Sequence, residues 1–162
     1  MKRIDAIKSI MDNVRDELVI SSCGMISREL FLVKDRPENF YVTGSMGSSL
    51  GIGIGLALHT ERKVIVIAGD GEILMSLGTL VLFNKLKMEN LKLYILDNNC
   101  YETTGRQKTC SDAIDFTKIA DCTVINVETG DNTAPRISIA HREIAKRFYE
   151  TINGKNYESN QV

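Results

Sequence analysis

With 162 residues, 43% of them apolar and 25% charged, the chain can bury one core of its own but not two substantial ones. Its 20 basic and 21 acidic side chains leave a net charge of −1, which removes any general electrostatic attraction to nucleic acid or an anionic membrane. The most apolar stretch, 50–58, is interrupted by glycines and falls far short of the ~20 residues of a membrane span.

The start, Met1-Lys2-Arg3-Ile4-Asp5, has no apolar run behind it and is not expected to be a secretory signal. Ile4, Ile7, Ile10, Met11 and Val14 recur at helical spacing, predicting an amphipathic helix over 3–16. A short β-branched strand over 18–22 ends at Cys23-Gly24, and 27–32 reads as a helix stopped by Arg36-Pro37. Phe40-Tyr41-Val42 predicts a second strand that ends at Gly44.

From Ser45 the pattern is helical but rich in glycine. Met46, Leu50, Ile54 and Leu58 recur every fourth residue, and Gly47, Gly51 and Gly55 form the neighbouring track. Each glycine costs a helix ~1 kcal/mol, so this track is expected to pack closely against a sheet or a partner subunit. The strand over 64–68 leads into Gly69-Asp70-Gly71, and a helix is expected over 73–87. A strand over 91–96 follows, then a polar loop over 97–112, a short helix over 114–120 and a strand over 123–127. The final amphipathic helix is expected over 137–152, so that 1–152 form one domain, and the polar tail, 153–162, is expected to fray. Four cysteines without CxxC or zinc-type spacing point to reduced thiols and a cytoplasmic protein.

Strands alternating with helices predict an α/β fold, a doubly wound parallel sheet with helices on both faces. Such sheets bind ligands beyond the carboxyl ends of their strands, where Gly44, Gly69-Asp70-Gly71 and Asn98 fall. Gly-Asp-Gly alone is often a tight turn that caps the next helix. Paired with Asn98 at the end of the following strand it becomes more informative. A carboxylate and an amide oxygen on two successive strand ends can hold a hard divalent cation against a diphosphate. The helix that begins near Glu72 directs its amino end to the same place.

The Gly-Asp-Gly string, the helix after it and the strand ending in Asp97-Asn98-Asn99 resemble the thiamine diphosphate signature of 2-oxo acid decarboxylases and transketolase-like enzymes. Gly44-Ser45-Met46-Gly47 is similar to the preceding element of that pattern. The run from Leu96 through Tyr101-Glu102-Thr103-Thr104-Gly105-Arg106-Gln107-Lys108-Thr109 resembles that of sulfopyruvate and phosphonopyruvate decarboxylases. The stretch Arg136-Ile137-Ser138-Ile139…Glu143-Ile144-Ala145-Lys146-Arg147-Phe148 is similar to their ending.

The resemblance implies the thiamine diphosphate-binding fold, with thiamine diphosphate and Mg²⁺ as cofactors. It implies Mg²⁺ on the side chains of Asp70 and Asn98 and on the backbone carbonyl of Cys100. Gly69, Gly71 and Glu72 would cradle the diphosphate, the last two through their amides. Gly44 would accept from the pyrimidine amine beside Ser45, Met46 would wedge the cofactor into a bent shape, and Tyr101 would pack beside it or cover the loop. Thr103, Thr104, Gly105 and Arg106 are candidate contacts for an anionic substrate, with Lys108 at the mouth. Two positions depart from the family's pattern. Glu72 replaces a small residue, so its carboxylate is expected to turn away from the diphosphate, and Arg106 stands where a second glycine is usual.

The family's catalytic glutamate lies on a separate pyrimidine-binding domain for which this chain has no room. The resemblance therefore implies the diphosphate-binding (beta) subunit of a hetero-oligomer, completed by a pyrimidine-binding (alpha) subunit of similar size. Its substrate would be a small 2-oxo acid, sulfopyruvate or phosphonopyruvate. The alternatives are a subunit of another thiamine diphosphate enzyme (a carboligase or a 2-oxo acid oxidoreductase) or a non-catalytic cofactor-binding scaffold.

Overall fold

The computed structural model describes residues 1–130 and 133–154. Helix α1 (Arg3–Met11) is followed by β1 (Leu18–Ser21), α2 (Met25–Lys34), β2 (Asn39–Tyr41), α3 (Ser49–Ala57) and β3 (Val64–Gly69). Two short helices, α4 (Asp70–Met75) and α5 (Leu77–Leu86), lead to β4 (Leu91–Asp97). A small hairpin of β5 (Cys100–Tyr101) and β6 (Gln107–Lys108) then precedes α6 (Phe116–Ile119), β7 (Thr123–Asn126) and α7 (His141–Asn153).

Five strands form one parallel sheet in the order β2-β1-β3-β4-β7. Strands buried on both faces need apolar residues at every position, which is why β1 and β3 read as continuous runs rather than alternating ones. Val64, Val66 and Ala68 of β3 face a core shared with Leu50, Ile54, Leu80 and Phe83. Ile65 and Ile67 face the opposite core with Ile7, Ile10 and Leu30. Helices α1 and α2 therefore cover one face and α3 to α6 the other, which is the doubly wound α/β architecture. Helix α7 closes the β2 edge, its Phe148 ring 5.2 Å from that of Phe40. Two N–H bonds from Arg147 to the Asp35 carboxylate, at 2.9 and 3.1 Å, tie it to the end of α2.

Several element boundaries differ from expectation. Helix α1 ends at Met11, and the amides of Asn13 and Val14 return to carbonyls three residues back in tighter turns. The helix expected over 73–87 is two helices. At Ser76 the hydroxyl bonds the Glu72 carbonyl at 3.1 Å and the backbone leaves the helical region, an instance of a serine competing for main-chain partners. Helix α3 starts at Ser49, because 45–48 form a turn with Gly47 at φ +91°. Helices α6 and α7 also begin later than expected, and the polar loop after β4 contains the β5–β6 hairpin. Of the tail expected to fray, 155–162 lie outside the described residues.

Of the two packing partners expected for the glycine track of α3, the sheet is not the one that Gly51 and Gly55 meet. Gly51 and Gly55 are exposed, and only Thr79 comes within 4.0 Å of a Cβ placed on Gly51. The glycine that meets the sheet is Gly53, where a Cβ would collide with Val66 and lie 3.4 Å from Leu91 Cδ1. Val66 sits in β3 at the middle of the sheet and is β-branched, so it cannot rotate away. In the isolated chain, Gly53→Ala is expected to cost about 1–3 kcal/mol through overpacking. Gly55→Ala, which meets nothing within 4 Å, should instead stabilise by up to ~1 kcal/mol through helix propensity. Urea midpoints of the two variants provide the check, and a shift of the same sign in both would contradict the packing argument.

Candidate functional site

The strand order reverses at β1, whose neighbours are β2 on one side and β3 on the other. Outside the carboxyl ends of β1 and β3 the departing connections diverge and leave a crevice, the usual ligand position in open α/β sheets. A cavity of about 120 Å³ lies there. Its lining comes from the turn after β1, from Gly69-Asp70-Gly71-Glu72 after β3, and from Asn98, Cys100 and Tyr101 after β4. Met46, Thr103 and Thr104 also line it. Gly44 lines a neighbouring cavity instead, and Ser45, Gly105 and Arg106 line neither. Arg106 is directed elsewhere, donating from Nη2 to the Gly130 carbonyl at 3.1 Å.

Asp70 begins α4 and is buried. Burial pushes its carboxyl above the ordinary range, the Thr109 hydroxyl opposes that shift, and the nearby Asp97 charge adds to it. Thr109 Oγ1 donates to Asp70 Oδ2 at 2.5 Å, and Ser111 Oγ donates to Asp97 Oδ1 at 3.0 Å. A buried carboxylate beside a second one, with no cation among the described lining residues left to neutralise it, is suited to a divalent metal. Asn98 turns its amide into the loop after β4: Oδ1 accepts from the Cys100 amide at 3.2 Å and Nδ2 donates to Glu102 at 3.3 Å. Its oxygen keeps a second lone pair. No cluster of three His, Cys, Asp or Glu side chains with metal-binding geometry occurs among the described residues. A metal held here would therefore take Asp70, Asn98 and a main-chain carbonyl from the protein and its remaining oxygens from a ligand.

Gly71 allows the two sides of the crevice to meet. A Cβ there would run into the Tyr101 ring and lie 3.0 Å from Thr109 Cγ2. The Glu72 carboxylate does turn away from the turn's amides, as Oε1 accepts the Ser49 amide at 3.0 Å and so caps α3. That contact links the turn after β3 to the segment carrying Gly44 and Met46.

Sequence reasoning did not find the support behind Asn98. Arg3, the first residue of α1, is buried with two carboxylates. It makes a paired contact to Glu29 at 2.9 and 2.9 Å and a contact to Glu102, 99 residues away. Burial by itself disfavours the Arg3 charge, but the hydrogen bonds and charges of the two glutamates raise its pKa above the ordinary value. Thr109 was visible only as the end of the Gln-x-Thr run, and Arg3 left no local signal. All four cysteines are free thiols, and no helix among the described residues is long and apolar enough to cross a membrane.

Residues 20–143 match the family model described as "Thiamine pyrophosphate enzyme, C-terminal TPP binding domain". The chain is 38% identical to the sulfopyruvate decarboxylase subunit beta of Methanothermobacter thermautotrophicus, over 95% of this chain and 97% of that protein. It is 53% identical to the protein of the same name from Methanocaldococcus jannaschii, over 67% of this chain and 58% of that one. A phosphonopyruvate decarboxylase of Streptomyces viridochromogenes is 42% identical over 73% of this chain but only 30% of its own length. The crevice at the strand reversal thus falls within the matched region, and the chain belongs to the thiamine pyrophosphate enzyme family through its C-terminal TPP-binding domain.

Proposed function

We propose that this chain is the diphosphate-binding subunit of a thiamine diphosphate- and Mg²⁺-dependent 2-oxo acid decarboxylase. Its substrate is sulfopyruvate or phosphonopyruvate, and the products are the corresponding acetaldehyde and CO₂. The observation that carries this reading is the meeting of Asp70 and Asn98, from the ends of adjacent parallel strands, in the lining of one cavity. Asp70 and Asn98 bind Mg²⁺ by side chain and Cys100 by its carbonyl, while Gly69, Gly71 and Glu72 border the diphosphate. Gly44 accepts from the pyrimidine amine, with Ser45 beside it. Met46 and Tyr101 supply apolar contacts. When bound, thiamine diphosphate supplies the electron sink for the pair released with CO₂. The protein's part is to orient and to exclude water: Thr103 and Thr104 line the crevice, and Gly105 and Arg106 form the hairpin tip beyond them.

The catalytic glutamate comes from a pyrimidine-binding partner chain. Helices α4 and α5 support this, because Met75, Val81, Leu82 and Leu86 are exposed there beside the open Gly51 and Gly55 of α3. Met75 packs against Gly47, so this apolar face adjoins the mouth of the crevice. The direct test is decarboxylation of both acids by the purified chain, alone and after co-purification with its partner. Activity is expected only in the complex. Robust turnover by the chain alone would remove the split site, and a cofactor-loaded complex inert towards both acids would remove the substrate assignment.

A further inference from the structure

We propose that a second cavity, separated from the first by the Cys23-Gly24 turn, receives the tetrahedral oxyanion tail of the substrate, with Arg28, Arg136 and His141 as its basic groups. The inference rests on the decarboxylase reading above and assigns the part of the substrate that the reading left without a charge partner. The cavity measures about 240 Å³, room for a tetrahedral oxyanion with some water. Both cavities include Cys23 and Gly24 in their walls, so they adjoin at the carboxyl end of β1. Gly24 makes the dividing turn at φ +79°, a conformation that side-chain-bearing residues rarely adopt.

Charge decides between the two cavities. The first is lined by Asp70, Glu72 and Glu102, and among the described residues its one cation is Arg3, held by Glu29 and Glu102. That balance suits a metal that carries the diphosphate with it and leaves no unpaired cation for a sulfonate or phosphonate. The second cavity has Arg28, Arg136 and His141 among its lining residues, Arg28 half-buried and the other two exposed, and no carboxylate among its described lining residues. The side chains of Arg136 and His141 make no hydrogen bond or ion pair with the described residues, and the Arg28 side chain makes only a 3.9 Å contact from Nη1 to the Met25 sulfur. A half-buried guanidinium such as Arg28, without an anion, can still form the forked, charge-assisted bonds that tetrahedral oxyanions accept. His141 also begins the 13-residue α7, whose amino end adds partial positive charge and has no side-chain cap.

Position supports the same assignment. Gly44, the residue given to the pyrimidine amine, lines this second cavity, so the cations stand beside the reacting end of the cofactor site. Gripping the non-reacting tail there leaves the departing carboxylate without a cation that would hold it back. Binding energy from the tail is then available at the reacting centre. Arg106, the other candidate for this role, is turned to the Gly130 carbonyl and lies outside both linings.

The test has two arms, each with Arg28→Gln/Arg136→Gln as the principal variant and melting curves to establish that it folds. In the first, methanesulfonate and methylphosphonate are titrated into the full-length chain without cofactor and followed by NMR; binding is expected to weaken about 10-fold or more in the double variant. Comparing the two probes shows which oxyanion the cavity prefers. In the second, the reconstituted holoenzyme is assayed on sulfopyruvate, phosphonopyruvate and pyruvate. The ratio of kcat/KM for the anionic acid to that for pyruvate is expected to fall about 10–100-fold in the double variant. In Arg106→Gln that ratio should change by less than about 5-fold, as for an exposed charge. An unchanged ratio in the double variant, or its collapse in Arg106→Gln, would overturn the subsite while leaving the decarboxylase reading intact. A wild-type complex that decarboxylates neither acid would overturn the tail assignment together with that reading, even if the probes still bound.

Discussion

Asp70→Ala is expected to abolish the joint binding of Mg²⁺ and thiamine diphosphate. Asp70 is the one carboxylate in the proposed ligand set, and Mg²⁺ needs it together with phosphate oxygens to complete an octahedral shell. Losing an outer-shell partner of a metal typically costs 10–100-fold in affinity. Loss of the charged ligand should therefore exceed ~100-fold, measured by calorimetry with metal and cofactor supplied together. The apo protein should not suffer in parallel. Burial and the Asp97 charge already oppose ionisation of Asp70, so its removal relieves an unfavourable charge in the apo protein. Asp70→Asn, which retains an acceptor for the Thr109 hydroxyl, should melt at or above the wild-type temperature while binding the cofactor poorly. Undiminished affinity in Asp70→Ala would remove the central claim about the site.

The largest loss of stability is expected from Arg3→Met. Methionine fills most of the space but removes the buried guanidinium that both carboxylates contact and leaves the doubly bonded Glu29 without it, and breaking a buried pair in this way costs about 3–5 kcal/mol. For a chain of this size that corresponds to a fall in Tm of roughly 6–20 °C. Arg3→Lys keeps the charge but not the paired contact to Glu29, and should lie between the two. The effect should also reach the site. Glu102 accepts from Asn98 Nδ2, so removing the Arg3 contact to Glu102 loosens the amide whose oxygen is assigned to the metal. A Tm within ~2 °C of wild type would show that the cluster is not structurally important.

These two predictions concern residues of unequal visibility. Asp70 is marked in the sequence because a strand, a glycine pair and a carboxylate are contiguous, and the local chain direction alone places the carboxylate at a strand end. Asn98 is marked in the same way by the end of β4. Both signals depend on period-2 and period-3.6 patterning, which is local, and the parallel α/β architecture follows from the alternation of those patterns. The resemblance to sulfopyruvate and phosphonopyruvate decarboxylases was likewise carried by contiguous runs. Helix starts and breaks were less legible. The interruption at Ser76 depends on whether one hydroxyl bonds its own helix, and the turn at Gly47 depends on a single positive φ.

What the sequence determined by itself was the order and type of the main elements, the doubly wound sheet and the strand ends carrying Asp70 and Asn98. Only the tertiary structure decided which glycine of α3 touches the sheet, since that depends on the helix's rotation against Val66 and not on glycine spacing. It alone brought Arg3 to Glu102, placed Thr109 on Asp70 and gathered Arg28, Arg136 and His141 around one cavity. Contacts between residues so far apart in the chain are set by how the helices close over the sheet, and no local periodicity encodes them.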